Sequence, residues 1–157
     1  SLGNPIYLGE VGQIPVIERG EVLDFSKDWI NRHHFIKNGF AERESWGVWS
    51  SGKEADLWLP LPSGDLKGLS FYVRAFITPS HPEQIVEILI DGKSFKTVYL
   101  NKAGLNQIDI PLLRSRSQTQ HGIQIHFNFL NAISPKQAGV GNDERVLAIG
   151  FEKAVFY

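Results

Sequence analysis

The sequence predicts an all-β domain, a sandwich or a barrel, and three observations predict it. Side chains alternate with a period of two along most of the chain, turn-forming residues punctuate the runs, and helical periodicity is almost absent. The one helical candidate comes first, where Ser26 could cap Lys27-Asp28-Trp29-Ile30-Asn31-Arg32, so the expectation is at most one short helix. Then Ala55, Leu57 and Leu59 alternate with Asp56, Trp58 and Pro60. Leu69, Phe71, Val73, Ala75 and Ile77 alternate with Ser70, Tyr72, Arg74 and Phe76. Val86, Ile88 and Ile90 alternate with Ile85, Glu87 and Leu89. Next, Asp91-Gly92 signals a tight hairpin, because glycine accepts the positive φ of a type I′ turn. Ile123, Ile125, Phe127 and Phe129 alternate with Gln124, His126 and Asn128. Successive side chains on a strand point to opposite faces, so each run reads as a strand with one face buried.

Further turns are expected at Ser50-Ser51-Gly52-Lys53, Pro62-Ser63-Gly64-Asp65, Thr78-Pro79-Ser80-His81-Pro82 and Lys102-Ala103-Gly104. The stretch from Ile133 to Arg145 reads as an ordered loop, long enough to carry function. Leu147, Ile149, Phe151, Val155 and Tyr157 then form the apolar set of a closing strand.

Composition narrows the function. At 157 residues the chain suits one soluble domain with one core, with residues 1–20 as a peripheral segment. Sixteen basic against seventeen acidic residues leave a net charge of −1 without a basic field, so no nucleic-acid partner is expected. No apolar stretch approaches bilayer length, and no membrane contact is expected of this domain. The absence of cysteine excludes a disulfide framework, a thiolate nucleophile and a cysteine metal site. The chain also lacks methionine, and its Ser1-Leu2 start fits a domain cut from a longer protein.

No catalytic motif stands out. Walker and dinucleotide-binding loops, a nucleophile elbow and the His-Glu-x-x-His zinc motif are all missing. His33 and His34, as strand neighbours, would point apart, and His126 reads as a surface histidine. Asn142, Asp143 and Glu144 could offer oxygen ligands to calcium, but no EF-hand spacing supports it, and no cofactor or metal is expected. A hydrolase would need two carboxylates converging in a cleft, which sequence cannot display.

The aromatic residues are more informative. If Leu57, Leu59, Phe71 and Val73 face the core, then Trp58, Tyr72 and Phe76 lie on the other face with Arg74 and Glu87. Flat rings beside hydrogen-bonding side chains suit a sugar, whose C–H faces stack while its hydroxyls pair. The alternative is that a strand, loop or partner covers this face and the rings are ordinary core.

The segment Gly39-Phe40-Ala41-Glu42-Arg43-Glu44-Ser45-Trp46-Gly47-Val48-Trp49-Ser50, continuing to Leu57, resembles a signature of jelly-roll domains attached to bacterial cell-surface polysaccharide glycosyltransferases and related membrane transferases. Ile108-Asp109-Ile110-Pro111, the span from Phe127 to Ser134-Pro135, and Asn142 through Gly150 resemble later parts of that pattern. The similarity runs from about Phe25 to Tyr157, with Ala148 where the family has glycine; the stretch up to Gly20 matches nothing.

What the resemblance implies is an antiparallel β-sandwich of jelly-roll type that is not an enzyme. It would be a carbohydrate-binding-module-like accessory domain, holding an oligosaccharide or polysaccharide near a catalytic domain of its parent protein. That role would place it in the cytoplasm, with the periplasm left open. Two readings of the matched residues remain. Trp46, Trp49, Glu44, Asp143 and Arg145 could line a saccharide site at one rim. Alternatively, Trp46 and Trp49 plug the sandwich end while Arg145 makes a buried ion pair with Glu44 or Asp143. An interaction or oligomerisation scaffold without a glycan site is the competing function.

Overall fold

A computed structural model of the chain describes residues 16–28, 35–114 and 120–157. Among the described residues ten strands run in order: β1 (Val22–Asp24), β2 (Ile36–Asn38), β3 (Val48–Trp49), β4 (Glu54–Pro60), β5 (Leu66–Ala75), β6 (Gln84–Ile90), β7 (Lys93–Leu100), β8 (Leu105–Arg114), β9 (Gly122–Phe129) and β10 (Ile149–Phe156). They build two five-stranded antiparallel sheets. Sheet A has the order β1-β10-β5-β8, with β3 also pairing β10; sheet B has the order β2-β4-β9-β6-β7. Every connection from β4 to β10 except the β6–β7 hairpin passes from one sheet to the other. The result is an all-β jelly-roll sandwich.

Alternation places the core. From sheet B come Ala55, Leu57, Leu59, Val86, Ile88, Ile123, Ile125, Phe127 and Phe129; from sheet A come Leu69, Phe71, Val73, Ile108, Ile110, Ile149, Phe151 and Phe156, all buried. Phe71 and Phe127 meet across the two layers at 5.7 Å, and Phe151 joins them at 5.9 and 5.3 Å. The hairpin forms where the dipeptide predicts it: Asp91 and Gly92 both have positive φ, 49° and 83°, and β6 pairs with β7. Both positive values are what a type I′ turn needs.

One expectation changes. Val155 and Tyr157 do not face the core as strict alternation requires. The pairing of β10 with β5 shifts between Phe151 and Lys153, and the extra residue reverses parity, so Ala154 and Phe156 go inside while Val155 and Tyr157 turn outward. A bulge does this because it inserts one unpaired residue into a period-two pattern. The helix expected after Ser26 begins in turn conformation at Ser26–Asp28, and the rest of it, like His33, His34 and residues 1–15, lies outside the described residues. Among the described residues no helix is long and apolar enough to cross a membrane.

Candidate functional site

The outer face of β5 is the place to start, since it carries Ser70, Tyr72 and Arg74 and continues to Phe76. Its neighbours supply two flat platforms. At one end Gly150 of β10 pairs with both Arg74 and Trp49. A Cβ there would come within 2.6 Å of the Trp46 ring and 3.2 Å of Trp49, so the missing side chain lets both indoles lie down on the sheet. Trp46 meets Trp49 edge-on at 5.3 Å, and Trp49 meets Phe76 edge-on at 6.5 Å. The Arg74 guanidinium lies 3.8 Å from the Trp46 ring centroid while its Nε donates to Glu152 at 2.6 Å. At the other end Gly68 seats Tyr157, whose Cζ would be 2.7 Å from a Cβ on that glycine. Six residue steps along β5 separate the two seats, about 20 Å at roughly 3.3 Å per residue.

Between the platforms lies a trough of about 370 Å³ lined by Ser70, Tyr72, Gln107, Asp109, Val155 and Tyr157. Cross-strand pairing assembles it, because Ser70 faces Asp109 on β8 and Val155 on β10, and Tyr72 faces Gln107. Ser70 Oγ donates to Asp109 Oδ1 at 2.6 Å and Gln107 Nε2 donates to the same oxygen at 2.9 Å. These bonds, from Ser70 first, hold the Asp109 carboxyl below its ordinary pKa against a smaller opposing effect of burial. Lys153 Nζ sits 4.8 Å from the Tyr72 ring centroid.

A rim network continues from the tryptophan end. Trp46 Nε1 donates to Glu44 Oε1 at 3.2 Å, Arg145 approaches Glu44 at 3.8 Å, and Arg145 grips both oxygens of Asp143, Nε donating to Oδ1 at 3.1 Å and Nη2 to Oδ2 at 2.7 Å. The hydrogen bonds from Arg145 lower the Asp143 pKa, and that of Arg145 rises mainly for the same reason. Arg145 therefore joins Glu44 and Asp143, but its side chain is 44% exposed, so this is a solvated rim pair and not a buried one. Such exposed pairs hold geometry more than they add stability. Nor do Trp46 and Trp49 plug the sandwich end: both lie half-buried on the outer face of sheet A. With Asp143 clamped by Arg145 and Glu144 3.3 Å from Lys136, the expected acidic loop offers no group of three ligating side chains among the described residues.

The structure thus gathers Trp46, Trp49, Tyr72, Arg74 and Phe76 on one face, with Glu44, Asp143 and Arg145 at its rim. It separates Trp58 and Glu87 from them. Both sit on the outer face of sheet B, because β4 and β6 join that sheet while β5 joins sheet A. Trp58 rests on Gly122 and packs beside Phe35 at 6.4 Å.

On the outer face of sheet B, where its strand parity puts it, His126 is bonded through both ring nitrogens. Its Nδ1 lies 2.6 Å from Asp56 and its Nε2 lies 2.8 Å from Asn128 Oδ1 and 3.3 Å from Glu54. Asn128 Nδ2 donates to Glu87 at 3.0 Å, which turns the amide oxygen toward the ring. Both ring nitrogens therefore face acceptors, and the imidazolium fits best. Burial pulls the His126 pKa down, but the bonds to Asp56 and Asn128 and the charges of Asp56 and Glu54 outweigh it, and the net shift is upward. A raised folded-state pKa contributes stability that is fully present below the unfolded value of 6.5 and is lost as pH rises through the folded value. Denaturant midpoints measured from about pH 5 to about pH 9 should fall over that window, and His126→Gln should flatten the fall. An unchanged slope in the variant would assign the pH dependence elsewhere.

No protein-family model matches the chain, and no curated protein matches it significantly in sequence. Solved structures do match its fold. An acetyl xylan esterase from the rumen bacterium Butyrivibrio proteoclasticus aligns over 87% of this chain and 33% of that one, at 11% identity and a TM-score of 0.57. Dimeric latent PorU from Porphyromonas gingivalis aligns over 93% of this chain and 13% of that one, at 10% identity and a TM-score of 0.50. The CBM36-1 domain of a multidomain xylanase from the hindgut metagenome of Trinervitermes trinervoides covers 87% of this chain and 95% of that domain, at 11% identity and a TM-score of 0.48. The chain spans about a third of the esterase and a smaller part of PorU. At such identities the likeness concerns the fold alone: the chain is a jelly-roll sandwich, and the acetyl xylan esterase contains a similar fold as one part of a longer chain.

Proposed function

We propose that the domain is a non-catalytic, carbohydrate-binding accessory module that holds a glycan along the outer face of sheet A. The observation that carries this reading is the trough flanked by Tyr72 and Tyr157, with Ser70, Gln107 and Asp109 between them and the Trp46/Trp49 platform further along the same face. Rings that lie on a sheet can stack on sugar C–H faces, and the polar groups beside them can pair with hydroxyls. The acetyl xylan esterase among the matching structures supports a carbohydrate context for this fold. The sequence resemblance extends the proposal to a bacterial cell-surface polysaccharide biosynthesis protein, with the domain cytoplasmic and tethered to a catalytic domain. Weak binding would suffice there, because a tether raises the effective ligand concentration.

Titrating the domain with bacterial surface oligosaccharides, followed by tryptophan fluorescence and NMR shifts, tests the reading. Saturable binding is expected, weakened about tenfold by Tyr72→Ala with the melting temperature nearly unchanged. Loss of binding in Trp58→Ala instead would move the site to sheet B. No binding at millimolar ligand would favour a scaffold or docking domain.

A further inference from the structure

The trough is unusual in how its donors are spent. The hydroxyl proton of Ser70 and an amide proton of Gln107 both point at Asp109 Oδ1. A serine hydroxyl has one proton to give, so what Ser70 can still offer a ligand is a lone pair. Gln107 Oε1 and the second oxygen of Asp109 are further acceptors on the outward side of the neighbouring strand β8. An aspartate is ionised at neutral pH, the two bonds Asp109 receives favour that form further, and it has no proton to give. Apart from the phenol hydroxyls of Tyr72 and Tyr157 and the second amide proton of Gln107, the floor of the trough asks its ligand to donate.

The nearby cations do not reverse this. Arg74 is matched by Glu152 at 2.6 Å. Lys153 lies over the Tyr72 ring, and Lys96 reaches Asp109 itself through its charge. A carboxylate on the ligand accepts hydrogen bonds and cannot donate them, and a phosphate, mostly dianionic at neutral pH, is chiefly an acceptor. Placed here either would meet acceptors and a like charge, an arrangement that rejects more strongly than it binds. A neutral sugar carries a hydroxyl on nearly every ring carbon, and two adjacent hydroxyls can serve one carboxylate.

We propose that Asp109 sets the ligand class of this trough: an uncharged glycan whose hydroxyls donate to the carboxylate, with uronate and phosphorylated glycans excluded. The proposal rests on the reading of sheet A's outer face as a glycan site and adds the chemistry of its selectivity. At about 370 Å³ the trough lies in the range of small-ligand sites, so the selection concerns the one or two sugar rings seated between Tyr72 and Tyr157.

The test is a calorimetric comparison of the whole chain against cellohexaose, xylohexaose and a neutral galacto-oligosaccharide on one side and oligogalacturonate and oligomannuronate on the other. At least one neutral chain should bind about tenfold or more tightly than either uronate. Asp109→Asn should weaken the neutral ligand about tenfold and narrow the gap. The ratio between classes is read on the unaltered protein, so the outcome does not depend on that variant folding. Uronates binding as well as neutral chains would overturn the selectivity while leaving a glycan site in place. Unchanged neutral affinity in a folded Asp109→Asn would remove Asp109 from the role. Absence of binding to every probe would overturn the glycan site itself.

Discussion

Replacing Phe151 with alanine is expected to lower the unfolding free energy by about 4 kcal/mol, within the usual range for a fully buried phenylalanine. Phe151 is fully buried and its ring lies near Phe25, Phe40, Phe71 and Phe127, at 5.4, 5.2, 5.9 and 5.3 Å. Those four rings come from four separate segments of both sheets and their connections, so no single movement can close the cavity. The cost is then the lost burial plus most of the void. Urea unfolding should show a lower midpoint with an unchanged slope. Val155→Ala, two residues past the bulge and on the outer face, should cost below about 1.5 kcal/mol. Equal losses at the two positions would mean that the cavity collapses and that the parity assigned to β10 is wrong.

Gly39→Ala should be nearly as damaging, at about 2 to 5 kcal/mol, through a different mechanism. Gly39 has φ +83°, and a Cβ there would fall on the Glu54 carbonyl oxygen and within 2.6 Å of the Ala55 Cα. Both obstacles are backbone of β4, which cannot rotate aside as a side chain would. The position also fixes the entry of the Trp46–Trp49 segment, since the Gly39 carbonyl accepts from Ser51 N at 2.7 Å. Gly20 separates the two contributions: its φ is +88° but nothing lies within 4 Å of a Cβ there. Gly20→Ala should therefore cost only the left-handed conformation, about 1 to 2 kcal/mol, measured by the same denaturation. If the two variants lose equal stability, β4 yields to the added methyl and the steric account fails.

Part of the candidate site was legible beforehand. Tyr72, Arg74 and Phe76 follow from β5 alternation alone, since Phe71 and Val73 are plainly core. Ser70 sits two residues earlier on the same face, so the same signal could have included it. Asp109 and Gln107 were not reachable that way. They lie on β8, and only the pairing of Ser70 with Asp109 and Tyr72 with Gln107 makes them neighbours. Tyr157 was hidden by the bulge near Glu152, because one inserted residue turns an inward position outward.

What the sequence by itself determined is local: the strands with their inward and outward faces, the Asp91-Gly92 hairpin, and the resulting all-β class. These depend on period-two burial and on positive φ, both properties of a few adjacent residues. Only the tertiary structure decided which sheet each strand joins. That choice put Trp58 and Glu87 on one side of the molecule and Tyr72 and Arg74 on the other, although all four have outward parity. It also brought His126 to Asp56 and Asp109 to Ser70, pairs that are 70 and 39 residues apart in the chain. The physical reason is that alternation tells a side chain to leave the core but carries no information about which outer surface it will reach. Long-range strand pairing supplies that, through contacts between residues with no local relation.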